Sequence, residues 1–269
     1  MRKRRSGIGA RRRAFYVWSF GLATLLTLIS VASINQTALD RLTALAFDSY
    51  QLLKPREESG SPVVIVDIDE ASIVRLGQWP WPRTLLARMV DRLGALGAAN
   101  IAFDIVLAEP DRTSLGRVIG ELERAGAQVI LPAGQIPDND AVLAEAFARN
   151  SVTAGFVVSN ETAGELSEPK AGFSFAGRDP QSYLPTFQGG LANLPVLTDA
   201  SQGLGFFSFP PSRDGVVRSI PLVARAQDKL FPTLSVEALR VAQGAGSFII
   251  KATGASGEAD TGAPAMVAL

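Results

Sequence analysis

The chain has 269 residues with 26 basic and 26 acidic side chains, 47% hydrophobic residues, no histidine and no cysteine. Without histidine there is no Ser–His–Asp catalysis, no His-ligated zinc and no imidazole pH sensing; without cysteine there are no disulfides and no thiolate chemistry. The even charge hides an asymmetry, because Arg2, Lys3, Arg4, Arg5, Arg11, Arg12 and Arg13 lead the chain and leave 19 basic against 26 acidic residues behind them. That acidic remainder excludes a nucleic-acid binder, which needs clustered cations outside a targeting segment.

An uncharged apolar run follows the cations, residues 14–34. As a helix it extends roughly 31 Å at about 1.5 Å per residue, enough for a bilayer core of about 30 Å. The basic flank keeps its own side of the membrane in the cytoplasm, so everything after Asn35 is expected outside it. A cleaved export signal is the competing reading, with Arg12-Arg13-Ala14-Phe15 as a twin-arginine motif and Ser30-Val31-Ala32 as a cleavage site. In residues 37–54, Leu39, Leu42, Ala46, Tyr50 and Leu53 recur at steps of three and four, and Pro55 ends the pattern. This predicts an amphipathic stalk helix, followed by a polar linker to residue 62.

Alternating strands and helices come next. Residues 63–68 read as a β-branched strand buried on both faces. Residues 84–96 read as a helix started near Pro82 and closed by Gly97. Residues 100–107 are a second strand, 115–125 a second helix and 128–131 a third strand. Asp138 or Asn139 caps a helix to Arg149, and 152–159 is a fourth strand. The pattern predicts an α/β fold with a mostly parallel sheet and flanking helices. Residues 161–201 read as a long loop anchored by Phe173, Phe175, Tyr183 and Phe187. Residues 205–209 and 216–224 read as a C-terminal β-hairpin around Asp214-Gly215. A helix over 231–243 and a strand over 248–251 precede a Gly/Ala-rich tail. The expected organisation is a basic cytoplasmic segment (1–13), a transmembrane helix (14–34), a stalk and linker (35–60) and one extracytoplasmic domain (61–269) that is C-terminally incomplete.

Three constellations carry candidate chemistry. Asp67, Asp69 and Glu70 end the first strand, and Asp104, Glu109 and Asp111 end or follow the second. On adjacent parallel strands they converge at the edge where α/β sheets bind ligands, and oxygen ligands there suit Mg²⁺ or Ca²⁺. The alternative is that these acids cap helices and pair with Arg83, Arg213 and Arg218. Trp79-Pro80-Trp81-Pro82-Arg83 is a stiff loop presenting two indoles, either a ligand wall or dimer contact, or a plug sealing the sheet. Residues 203–218 join Phe206, Phe207 and Phe209 to Arg213, Asp214 and Arg218, either a candidate site or an ordinary hairpin whose Phe residues enter the core. No phosphate loop or dinucleotide fingerprint is present.

Together these motifs resemble the second type of CHASE domain, a sensory extracellular module. The resemblance rests on Phe47-Asp48 before Lys54-Pro55, on Val63-Val64-Ile65-Val66-Asp67-Ile68-Asp69-Glu70, and on Leu76-Gly77-Gln78-Trp79-Pro80-Trp81-Pro82-Arg83. It continues through Ile101-Ala102-Phe103-Asp104-Ile105, Glu109-Pro110-Asp111, Asp214-Gly215-Val216-Val217-Arg218 and Phe231-Pro232, then Glu237-Ala238-Leu239-Arg240. It implies the N-terminal part of a receptor in the bacterial inner membrane, with a periplasmic sensor, an unidentified external signal, and a cytoplasmic cyclase or kinase output. It supplies no ligand. The reading is a non-catalytic sensor, homodimeric through the stalk and membrane helix, without cofactor unless the acidic cluster takes a divalent metal. The alternatives are a Mg²⁺-dependent phosphohydrolase using Asp67 and Asp69, and an envelope dimerisation scaffold.

Overall fold

The computed structural model describes residues 7–34, 36–55, 60, 62–129, 138–162, 164–209, 214–252 and 266–268. It divides into two units, Met1–Asp67 and Ile68–Leu269. The first holds helix α1 (Gly7–Ile34) and helix α2 (Gln36–Leu53). Beyond Arg13, α1 carries no charge. The Thr24 and Thr27 hydroxyls donate to the carbonyls of Phe20 and Ala23 at 2.9 and 2.8 Å, so both protons are used within the helix. Among the described residues no helix is long and apolar enough to cross a membrane. The expected span lies partly outside them, since the side chains at 14, 28, 29 and 31–34 are not described. Helix α2 presents Leu39, Leu42, Tyr50 and Leu53 to the outside, and Pro55 follows its end.

Residues 63–68 are not the buried strand expected of them. Val63, Val64, Ile65 and Val66 are 53 to 88% exposed and belong to no strand. A β-branched run fits a pleated surface, but it becomes a strand only where a neighbouring edge takes up its hydrogen bonds.

The second unit is mixed α/β. Its elements are α3 (Glu70–Leu76), α4 (Arg83–Ala95), β1 (Ile101–Phe103), α5 (Leu115–Arg124), α6 (Asn139–Arg149), β2 (Val152–Ser159), β3 (Gly172–Ala176), β4 (Thr186–Phe187) and β5 (Gly189–Leu191). They continue with α7 (Pro195–Ala200), β6 (Gly203–Phe206), β7 (Val223–Ala226), β8 (Lys229–Pro232), α8 (Leu234–Ala242), β9 (Ser247–Ala252) and β10 (Met266–Ala268). Strand β2 is the hub. It pairs in parallel with β1 and β6 and antiparallel with β5. Its residues are buried on both faces, as a hub strand requires.

Instead of one mostly parallel sheet there are three small ones among the described residues. The second joins β3 in parallel to β9, with β10 antiparallel, and the third joins β4 in parallel to β7, with β8 antiparallel. The hairpin is also displaced. Residues 203–206 pair with β2, residues 216–222 form no strand, and the antiparallel hairpin is β7–β8. Its turn, Gln227-Asp228, has φ of 50° and 62°, the mirror-image geometry that matches strand twist. The Asp-Gly signal drew the prediction to the wrong turn, because Gln-Asp rarely adopts this one. Phe231 and Pro232 therefore end a strand rather than start the last helix. The expected loop over 161–201 contains three short strands and α7; Phe187 is buried, whereas Phe175 and Tyr183 are exposed. The expected strand at 128–131 has no strand geometry at 128 and 129 and otherwise lies outside the described residues.

Three apolar clusters hold this unit. Trp81, Leu86, Val90, Phe103, Leu143, Phe147 and Leu197 bring α4, α6 and α7 onto β1 and β2. Phe156, Phe206 and Phe231 centre the second, with the Phe156 and Phe231 rings 5.0 Å apart, edge to face. Leu184, Val223 and Ile250 form the third. Gly205 allows β6 to approach α8, because a Cβ there would lie 2.6 Å from Leu234 Cα.

Candidate functional site

The entry to α4 organises the region that the motifs single out. Gly77 turns the chain with φ of 96°, and the loop that follows folds back on itself. Trp81 donates its indole N–H to the Gly77 carbonyl at 2.7 Å and meets Trp79 edge-on at 5.6 Å. Trp81 is buried in the first cluster and Trp79 packs against it. The loop is therefore part of the core at that end, with one face of Trp81 left toward a hollow beside α4.

Pro82 then sets the first turn of α4, and Arg83 points inward. Its backbone N–H donates to Asp111 Oδ2 at 2.8 Å, and its Nη2 donates to the Glu109 carbonyl at 3.1 Å. Its Nε lies 3.4 Å from Asp140 Oδ1. Neither of those two atoms has a hydrogen-bond partner, so this is an ion pair without alignment. Asp111 is the centre of the arrangement. Besides Arg83, it accepts from the Asn139 amide and from both the N–H and the hydroxyl of Thr113, each at 2.8 Å. Its own N–H donates to Asp140 Oδ2 at 2.9 Å. Asp138 caps α6 by accepting from the Asp140 N–H.

The two buried carboxyls respond oppositely. Burial pushes Asp111 up, but the hydrogen bonds from Arg83, Thr113 and Asn139 together hold it below the ordinary 3.8. Burial also pushes Asp140 up, and here it prevails. The Asp111 N–H and the Arg83 charge oppose it, while the Asp138 and Asp111 charges add to the rise. Two buried carboxyls thus meet one arginine, Asp111 at its backbone N–H and Asp140 at its guanidinium. The arrangement ties residues 109–114 to the starts of α4 and α6.

Of the six predicted acids, only Asp111 and the backbone of Glu109 enter this knot. Asp67 is exposed. Asp69 is exposed and caps α3, accepting from the Ser72 hydroxyl and N–H, which hold its carboxyl below 3.8. Glu70 is exposed in the first turn of α3, and Asp104 is exposed just past β1. Among the described residues no group of three or more acids is placed to hold a metal ion. Asp214 and Arg218 pair with each other at 2.8 Å, and the Arg218 hydrogen bond, helped by the Val216 N–H, brings Asp214 down to about 2. Arg213 lies outside the described residues.

Sequence reasoning did not place Asp140, Asn139 and Thr113 in this site. The signal available was Asp138-Asn139-Asp140 at a helix start, where acids are ordinarily surface partners of the helix dipole. It also missed a second buried pair. Glu237 on α8 accepts from Arg240 at 2.7 and 2.8 Å and from the Leu204 N–H at 3.2 Å. Arg240 donates as well to the Ala245 and Gln202 carbonyls.

In comparison with known proteins, the family model described as the CHASE2 domain matches residues 23–266. No curated protein and no solved structure matches the chain.

Proposed function

Since the chain belongs to the CHASE2 family of extracellular sensory domains, we propose that it is the sensing part of a membrane-anchored receptor whose N-terminus is cytoplasmic and whose second unit is periplasmic. The match over residues 23–266, which includes the C-terminal part of α1, all of α2 and nearly all of the second unit, carries this reading. The seven leading cations set the orientation. The chain acts by binding, not by catalysis, and passes the change through α2 to a cytoplasmic cyclase or kinase output. Pairing of two copies along α1 and α2 supplies the moving part, because a ligand acts only through different affinities for two states. No observation favours the phosphohydrolase reading, whose Asp67 and Asp69 are both exposed.

Two measurements test this. Alkaline phosphatase fused after residue 60 is expected to be active, and an inactive fusion overturns the orientation. Single cysteines at Leu42, Ala46 or Leu53 are expected to cross-link more than cysteines at Asp40 or Gln51. Uniform or absent cross-linking in the full chain overturns the paired stalk.

A further inference from the structure

Beside α4 the second unit carries a hollow of about 320 Å³ lined by Leu76, Trp81, Leu85, Leu86, Arg88 and Met89. Five of the six linings are apolar, and Arg88 is the exception. That volume is at the lower end of the roughly 300–1,000 Å³ that holds small ligands. It accommodates one short apolar body and not a pair of acyl chains.

The one charged residue of its lining is a cation. Arg88 is exposed, and Arg92 lies one turn further on the same face of α4. Arg75 precedes Leu76 in the last turn of α3. Among the described residues none of these three arginines takes part in an ion pair. The nearest acid along α4, Asp91, is already taken by Arg149. Trp81, which forms the floor, has its only polar atom committed to the Gly77 carbonyl. Nothing on the wall therefore asks for a polar ligand body, while Arg88 has no ion-pair partner among the described residues.

We propose that this hollow binds a small apolar monocarboxylate from the aqueous phase, its hydrocarbon or aromatic body against Trp81, Leu85 and Met89 and its carboxylate on Arg88. A single carboxylate matches a guanidinium edge in the two-point geometry that makes such pairs strong. A more highly charged head would be stripped of water against apolar walls without enough donors to replace it. The proposal deepens the sensory reading by naming a ligand class, and depends on that reading only for what binding achieves.

The test uses the full chain in phosphatidylcholine nanodiscs, carrying Trp18→Phe so that emission comes from Trp79 and Trp81 alone, with 4-phenylbutyrate as the probe. A saturable change in emission is expected, absent from nanodiscs without protein. Arg88→Gln is expected to weaken binding about tenfold, the size of one charge-assisted contact. The neutral 4-phenylbutanol is expected to bind wild type as weakly as the acid binds Arg88→Gln. Leu76→Glu, at a half-exposed position that leaves the fold intact, is expected to abolish saturation. A linear response, an unchanged affinity in Arg88→Gln, or equal binding of the alcohol overturns the site. So does loss of the response on adding phosphatidylglycerol, which would make this rim a surface for lipid headgroups. Saturable binding that leaves the stalk cross-linking pattern unchanged supports the site and counts against the sensory reading. No binding alongside an active periplasmic fusion overturns the site alone.

Discussion

The two buried ionic groups of the second unit are built from the same residue types and solve different problems. At Glu237–Arg240 one carboxylate meets one guanidinium along a single helix. Three hydrogen bonds reach the acid, and two further carbonyls take up the arginine. At Arg83–Asp111–Asp140 two carboxyls from different segments meet one arginine, Asp111 at its backbone N–H and Asp140 at its guanidinium, and the closest charged atoms of Arg83 and Asp140 stand 3.4 Å apart without a hydrogen bond. The first is a closed fastener between α8 and β6. The second holds three segments together with one negative charge in excess, so its balance depends on protonation. Burial makes both costly to break, and in the second it disfavours the charge of Asp140.

The largest effect is expected at the closed pair. Glu237→Ala strands the Arg240 guanidinium in the interior, which typically costs about 3–5 kcal/mol. Urea unfolding should show the loss. Replacing both partners, Glu237→Leu with Arg240→Met, should recover most of it, because apolar residues of similar volume carry no desolvation penalty. If the single and double variants are equally destabilised, the pair does more than fasten, and the contrast with the open knot fails.

The knot should yield smaller losses of opposite pH dependence. Asp111→Asn removes a carboxylate that accepts four hydrogen bonds, for a loss of about 1–3 kcal/mol at neutral pH. The Asp111 carboxyl sits below 3.8, so its stabilisation is present above that value and disappears as pH falls through the folded one. The advantage of wild type over Asp111→Asn should therefore shrink in acid. Asp140 sits above 3.8, so its favourable contribution is complete below that value and is lost as pH rises through the folded one. Wild type should therefore lose ground to Asp140→Asn as pH rises from about 3.8. Parallel slopes for the two variants in unfolding curves between pH 3 and 7 would refute the division of roles.

The difference between the two groups also explains what was legible in the sequence. Helices α4 and α6 could be read because their apolar spacing and caps are local, and β2 because a hub strand buried on both faces is mostly apolar. Residues 63–66 have the same local signature as β2 and form no strand, since pairing depends on a neighbour that the run itself does not encode. The six acids were grouped by their positions at strand ends, which holds only if both strands form. With β1 three residues long and 63–68 irregular, Asp67, Asp69 and Asp104 remain at the surface. Asp140 entered the site because α6 starts beside residue 111, a proximity across 29 positions that no local pattern contains.

The smallest effect is expected at a surface pair that looks better made than the Arg83–Asp140 contact. Asp91 accepts from Arg149 at 3.0 Å and from Asn150 at 2.8 Å, and these bonds hold its carboxyl below 3.8. Judged by geometry alone, losing it should cost more than losing a contact at 3.4 Å. Its side chain is 43% exposed, however, and that of Arg149 is 54% exposed, so water and salt replace most of what the pair provides. Asp91→Asn is therefore expected to cost less than about 1 kcal/mol, with a loss that fades further in 1 M salt. Its stabilisation should be present above pH 3.8 and vanish as acid protonates the folded carboxyl, the same direction as Asp111 with a smaller amplitude. A loss at Asp91 as large as at Asp111, persisting in high salt, would mean that bond geometry outweighs burial in this unit, and the contrast between the closed and open groups would have to be drawn from distances instead.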